Sequence, residues 1–136
     1  MATKVFSEAV VDSDRANRML LQGDATALKQ LYAHEEEVTV LGGFGGVERG
    51  WSEVGPRLDW AASQFTNGSY ERKALSVVEG VDLAYTVSIE TNRVYESGKA
   101  GETSLDLRVT QIYRRDNGEW RLVHRHADPL VNREVP

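Results

Sequence analysis

Two histidines stand two residues apart in the stretch Trp120-Arg121-Leu122-Val123-His124-Arg125-His126. Imidazole titrates near neutral pH, so either ring could serve as a general acid or base. Strand side chains alternate between faces, which puts His124 and His126 on the side of Trp120 and Leu122. Those two apolar side chains call for burial, so that side is expected to face the interior. Asp128 continues the parity and could orient one of the imidazoles, although Pro129 suggests the strand ends there. The plainer alternative is one hydrogen-bonded core histidine and one at a rim, because perturbed groups also occur in purely structural networks.

Arg108 and Thr110 alternate with Val109 and Gln111 and match the parity given to the interior. A guanidinium there would bind a carboxylate, enolate or phosphate oxygen through its planar fork of donors. The alternative is an ion pair across the sheet, with Glu90 as one partner. Glu90 is itself a candidate base if it is buried. The aromatic residues Tyr32, Phe44, Trp51, Trp60, Phe65 and Tyr85 are expected near a cavity, since aromatics commonly line ligand pockets, though they fill ordinary cores as well. Tyr32 and Trp60 are the preferred walls, because each has a polar tip.

Other chemistries find less support. His-x-His with His34 as a distant third ligand gives too few ligands for zinc or iron, so no metal site is expected. Gly42-Gly43-Phe44-Gly45-Gly46 lacks the Gly-Lys-Ser/Thr ending of a phosphate loop and the dinucleotide fingerprint; it reads as a flexible entrance loop. There is no Gly-x-Ser-x-Gly motif, and no cysteine to act as nucleophile. No cofactor is implied.

The totals set the frame for these residues. The chain has 136 residues, the length of one domain, and residues 1–136 are read as a single one. Its formal net charge of -5 argues against a nucleic-acid partner. No apolar run approaches a membrane span, and Met1-Ala2-Thr3-Lys4 does not open a secretory signal. With no cysteine, a soluble protein of the reducing cytoplasm is the expectation.

The elements that must position the candidates are read from periodicity. Phe6, Val10, Asn17, Leu20 and Leu21 mark a first helix, ended by Gly23. Asp24 caps a short second helix carrying Leu28, Leu31 and Tyr32. Val38 to Leu41 reads as a strand. A third helix begins between Ser52 and Pro56 and is closed by Asn67-Gly68. Four long strands follow: Tyr70 to Val78, Leu83 to Val94, Leu105 to Arg115 and Trp120 to His126. Their short connections, Asp116-Asn117-Gly118 above all, force antiparallel pairing. Segregated helices and strands mean an α+β fold.

This order, the Gly-Asp between the first helices, and the stretches Leu107 to Arg115 and Gly118 to His126 resemble the nuclear transport factor 2-like superfamily. The likeness is to the SnoaL-like and ketosteroid isomerase-related branch. It implies a cone-shaped fold, with three N-terminal helices packed in a strongly curved antiparallel sheet, a pocket between the two, and a homodimer through the outer sheet face. It implies no single reaction, since the fold hosts enzymes, scaffolds and transport factors. The isomerase's tyrosine falls at Ala16, its base at or beside Gly42 and its second aspartic acid at Thr110, so all three roles are empty.

Three functions are compatible with these residues. One is cofactor-independent proton transfer on a small carbon acid (an isomerase, cyclase or dehydratase), with a histidine moving the proton and Arg108 steadying the oxyanion. The second is non-catalytic binding of a small organic ligand. The third is an oligomerisation module with a filled cavity. Under the same parity, Val109, Gln111, Tyr113, Arg121, Val123 and Arg125 face outward and form the dimer surface.

Overall fold

The computed structural model describes residues 5–136; the stretch Met1–Lys4, read above for a secretory signal, lies outside the described residues. Two helices, α1 (Phe6–Leu20) and α2 (Thr26–Leu31), are followed by two short strands, β1 (Thr39–Leu41) and β2 (Glu48–Arg49), and a third helix, α3 (Trp51–Ser63). Four long strands follow: β3 (Phe65–Glu79), β4 (Leu83–Glu96), β5 (Glu102–Asp116) and β6 (Glu119–Pro129). They form one curved, unclosed sheet in the order β2-β1-β6-β5-β4-β3. All neighbours are antiparallel except β1 and β6, which run parallel. The fold is α+β, with the helices against the concave face.

Local signals explain most boundaries. Asp24 accepts a hydrogen bond from the Thr26 backbone N–H at 2.9 Å, at the start of α2. Asn117 and Gly118 both adopt positive φ, at 51° and 79°, which the two-residue turn between β5 and β6 requires. α3 starts at Trp51, ahead of the expected window, so Pro56 sits in its second turn. Asn67-Gly68 does not end the helix; it forms a bulge inside β3. There Gly68 donates its N–H to the Leu21 carbonyl at 3.1 Å, and a Cβ would lie 2.5 Å from that of Leu21. Only glycine permits so close an approach. β2 was not expected from sequence; two residues in a glycine-rich stretch carry no periodic signal.

The core sits between helices and sheet. The Phe6 ring meets Tyr113 and Trp120 edge-on, with centroids 5.0 and 5.1 Å away. Tyr32, Val38, Val54 and Leu122 complete it, all fully buried.

One irregularity decides what the concave face carries. Ile112 pairs with His124, but Tyr113 pairs with Leu122, leaving Val123 as an extra residue in β6. A single inserted residue reverses the parity of everything beyond it. Trp120 and Leu122 point inward as expected, and past the bulge it is Arg125, mostly buried, and Ala127, fully buried, that turn to the concave side.

Candidate functional site

A cavity of about 120 Å³ opens between α1, α3, the glycine-rich loop and the concave sheet face. Its walls are apolar, with Leu20, Leu21, Leu58, Phe65 and Leu107 among them. Its polar lining comes from Asn17 on α1, Tyr32 after α2, Glu48 on β2, Arg57 on α3, Tyr70 on β3, Glu90 and Asn92 on β4, and Arg125 on β6.

The Glu90 and Arg125 side chains, 3% and 13% exposed, form a two-pronged ion pair. Arg125 donates from Nη1 to Glu90 Oε2 at 2.9 Å and from Nη2 to Oε1 at 2.8 Å. Arg125 Nη1 also donates to Gln111 Oε1 at 2.9 Å. Burial pulls the Arg125 pKa down, but the charge and hydrogen bonds of Glu90 outweigh it, and the net shift is upward. Gln111 is held in turn, donating from Nε2 to the Tyr113 hydroxyl at 2.9 Å.

The Tyr32 hydroxyl is buried and has no hydrogen-bond partner. Burial pushes its pKa up to about 12, against the opposing pull of Arg125. A hydroxyl in this state is a donor without an acceptor, beside a charged pair. Tyr70, also on the lining, differs: it donates to Asp14 Oδ1 at 2.9 Å. Its pKa is raised by burial and then by the Glu90 and Asp14 charges. Arg72 locks Asp14 through Nε at 2.7 Å and Nη2 at 3.2 Å.

The residues expected to do chemistry divide between the two faces. Tyr32, Phe65 and Glu90 line the cavity. His126, Arg108, Asp128 and Thr110 do not; they line a separate shallow groove on the convex face with Leu75, Val87 and Ile89. This corrects the expected parity, and the Val123 bulge is the reason. Arg108 pairs with Asp128 at 2.8 and 3.1 Å, not with Glu90. His126 Nε2 lies 3.9 Å from Asp128 Oδ2. His124 shares the convex parity, and its Nδ1 is 2.7 Å from Thr39 Oγ1. Its pKa is lowered by partial burial and then by the neighbouring His126.

Three aromatic placements also change. Tyr85 alternates with the buried residues of β4 and is 42% exposed on the convex side. Trp51 stacks on His34, centroids 3.8 Å apart, outside the cavity lining. Trp60 stands at the rim, edge-on to Phe44 at 5.1 Å and beneath the Arg57 guanidinium at 4.0 Å. The expected dimer surface changes likewise. Val109, Gln111 and Tyr113 are inward and buried, Arg125 is inward with its side chain 13% exposed, and Arg121 and Val123 are only partly exposed. Among the described residues, no three His, Cys, Asp or Glu side chains stand together as a metal site. No helix of the described residues is long and apolar enough to cross a membrane.

Arg125, Asn17, Asn92 and Glu48 were missed by sequence reasoning. The adjacent apolar pair Leu122-Val123 was the available signal for Arg125: strict alternation cannot bury Leu122 while placing Val123 outside without leaving an apolar residue there. Val109 and Tyr113, the apolar members of their alternation, pointed the same way.

Comparison with known proteins now identifies the family. A model of the SnoaL-like domain matches residues 13–131, and the chain belongs to that family. A nuclear transport factor 2-like superfamily protein from Salmonella enterica serovar Typhimurium superposes with a TM-score of 0.78 at 18% identity, over 96% of this chain and 97% of that one. A candidate dehydratase of the same family from Streptomyces avermitilis gives 0.78 at 18% identity, over 93% and 94%. A ketosteroid isomerase-like protein from Erwinia carotovora atroseptica gives 0.76 at 16% identity, over 94% and 95%. At such identities the likeness establishes the nuclear transport factor 2-like fold. No curated protein matches in sequence. Of the positions aligned to the isomerase's groups, Ala16 is buried in α1, Gly42 lines the cavity and Thr110 faces away from it.

Proposed function

We propose that this chain is a small-molecule pocket protein that transfers a proton on a small, mostly apolar carbon acid, with Glu90 as base and Tyr32 as hydrogen-bond donor. The observation that carries this reading is the unpartnered Tyr32 hydroxyl beside the Glu90–Arg125 pair in one apolar cavity. Leaving a buried donor unsatisfied costs roughly 1–3 kcal/mol, which a ligand carbonyl would recover. The C–H bond next to that carbonyl breaks, its proton goes to a Glu90 oxygen, and the electron pair moves onto the carbonyl oxygen. The resulting enolate accepts from the Tyr32 O–H, near the fixed charge of Arg125. Glu90 then returns the proton to carbon, and the cycle closes. Relatives described as a candidate dehydratase and as ketosteroid isomerase-like are compatible with such chemistry.

A second reading, ligand binding without turnover, is favoured by one feature. Both Glu90 oxygens already accept from Arg125. A carboxylate used only to hold Arg125 would move no proton. Exchange of the α-protons of β-tetralone in deuterium oxide, followed by proton NMR, separates the two. The first reading predicts exchange above the buffer rate, cut about a hundredfold or more by Glu90→Gln and unchanged by His126→Ala. Saturable binding with exchange at the buffer rate assigns the cavity to binding alone. Exchange that survives Glu90→Gln removes Glu90 as base.

A further inference from the structure

The cavity holds a second unpartnered polar atom, and it is of the opposite kind. Glu48 lies on the cavity lining, 16% exposed at its side chain. Its Oε1 pairs with Arg57 Nε at 3.3 Å, whereas its Oε2 is buried and accepts from nothing. The Arg57 guanidinium is stacked over Trp60. A stacked guanidinium is held by its π contact as well as by its charge. The register fixes where Glu48 stands. Val40 pairs with Arg125 on one side and with Glu48 on the other. Glu48 is therefore two strands from Arg125 in the same row of the sheet, about 10 Å at ordinary strand spacing. Between them the sheet face offers only Val40, and on the helix side Leu20, Leu58 and Ala61 add apolar surface beside Asn17 and Arg57.

We infer that the ligand of this cavity carries a neutral hydroxyl at the end remote from its carbonyl, and that Glu48 accepts a hydrogen bond from it. The inference rests on the proposed function and adds the ligand's second polar group. A buried acceptor and a buried donor, separated by apolar surface, match a molecule with a carbonyl at one end and a hydroxyl at the other. Arg57 already balances the Glu48 charge, which favours a neutral hydroxyl over an ammonium.

The test is calorimetric titration with β-tetralone, its ring-hydroxylated analogue placed farthest from the carbonyl, and the corresponding aminomethyl compound. The hydroxylated compound is expected to bind the wild-type protein about tenfold tighter than the parent, the worth of one hydrogen bond to a charged acceptor. The hydroxyl-to-parent ratio should fall to near one in Glu48→Ala and to an intermediate value in Glu48→Gln, whose amide oxygen still accepts. The glutamine variant keeps the test readable if the alanine variant is unfolded. Equal binding of the first two compounds, a ratio undiminished from wild type in either variant, or tighter binding of the aminomethyl compound overturns the inference. If β-tetralone binds and Tyr32→Phe weakens it, such a failure leaves the proposed function standing. If none of the three binds, both readings fall.

Discussion

Replacing Arg125 by methionine would strand Glu90. The arginine supplies both hydrogen bonds to a carboxylate whose side chain is 3% exposed. Methionine fills similar space but offers no donor. Removing one partner of a buried pair costs about 3–5 kcal/mol, because the other charge is left without compensation. For 136 residues the unfolding entropy is roughly 0.3 kcal/mol per degree, so the melting temperature should drop by about 10–17 °C. The penalty belongs to the charge, and two consequences follow. Glu90→Leu combined with Arg125→Met should recover most of the loss, since replacing both charges by apolar groups is often neutral. The deficit of the single variant should also shrink in acid. A stranded carboxylate has a folded pKa above its unfolded value of about 4.3, so stability is lost as pH rises through the folded value. Urea unfolding followed by circular dichroism at pH 5 and pH 8 reads both effects. A loss under about 1 kcal/mol, no rescue in the double variant and no pH dependence would together refute a buried, solvent-excluded pair.

Three further outcomes are expected. Burial raises the pKa values of Tyr32, Tyr70 and Tyr113, so their phenolate absorbance should appear only with alkaline unfolding. For Tyr32, raised from 10.0 to about 12, the stabilisation is complete below pH 10 and is lost as pH climbs through the folded value; absorbance near 295 nm that reports all five tyrosines before the fold is lost would contradict this. His124, lowered from 6.5 by partial burial and His126, contributes stability that is full above pH 6.5 and lost as pH falls through its folded value. The urea midpoint should therefore decline below pH 6.5, and less so in His124→Gln. We also propose that two copies pair through the convex face, where Leu75 and Tyr85 are exposed beside Val87 and Ile89. Sedimentation equilibrium should give twice the chain mass, reduced to one by Leu75→Glu; a monomer at micromolar concentration would end the proposal.

The fold was largely legible because its signals are local. Helical spacing in α1 and α3, Asp24 before α2, and Asn117-Gly118 between β5 and β6 each specify their element within a few residues. The four long strands alternate clearly enough to be placed, with the start of β4 exact and the other ends off by one to five residues. The site was less legible, because it depends on which way each strand faces. Trp120 and Leu122 were correctly turned inward, but one unpaired residue at Val123 reversed everything after them. Arg125 thereby replaced His124 and His126 on the concave side. Glu90 and Tyr32 survived because no bulge of β6 bears on them. A bulge is a property of two strands in register, and neither strand alone announces it. Glu48 was hidden for another reason: it gains meaning only from Val40, which aligns it with Arg125.

The claim on which the rest depends is that ligands enter the concave cavity and not the convex groove. The most direct test is to titrate isotopically labelled protein with β-tetralone and map the shifted amide and side-chain resonances. Saturable shifts should gather at Asn17, Leu21, Glu90 and Arg125, with Arg108, His126 and Asp128 unmoved. Shifts centred on Arg108, His126 and Asp128, with the cavity residues still, would contradict the account and return the histidines to first place.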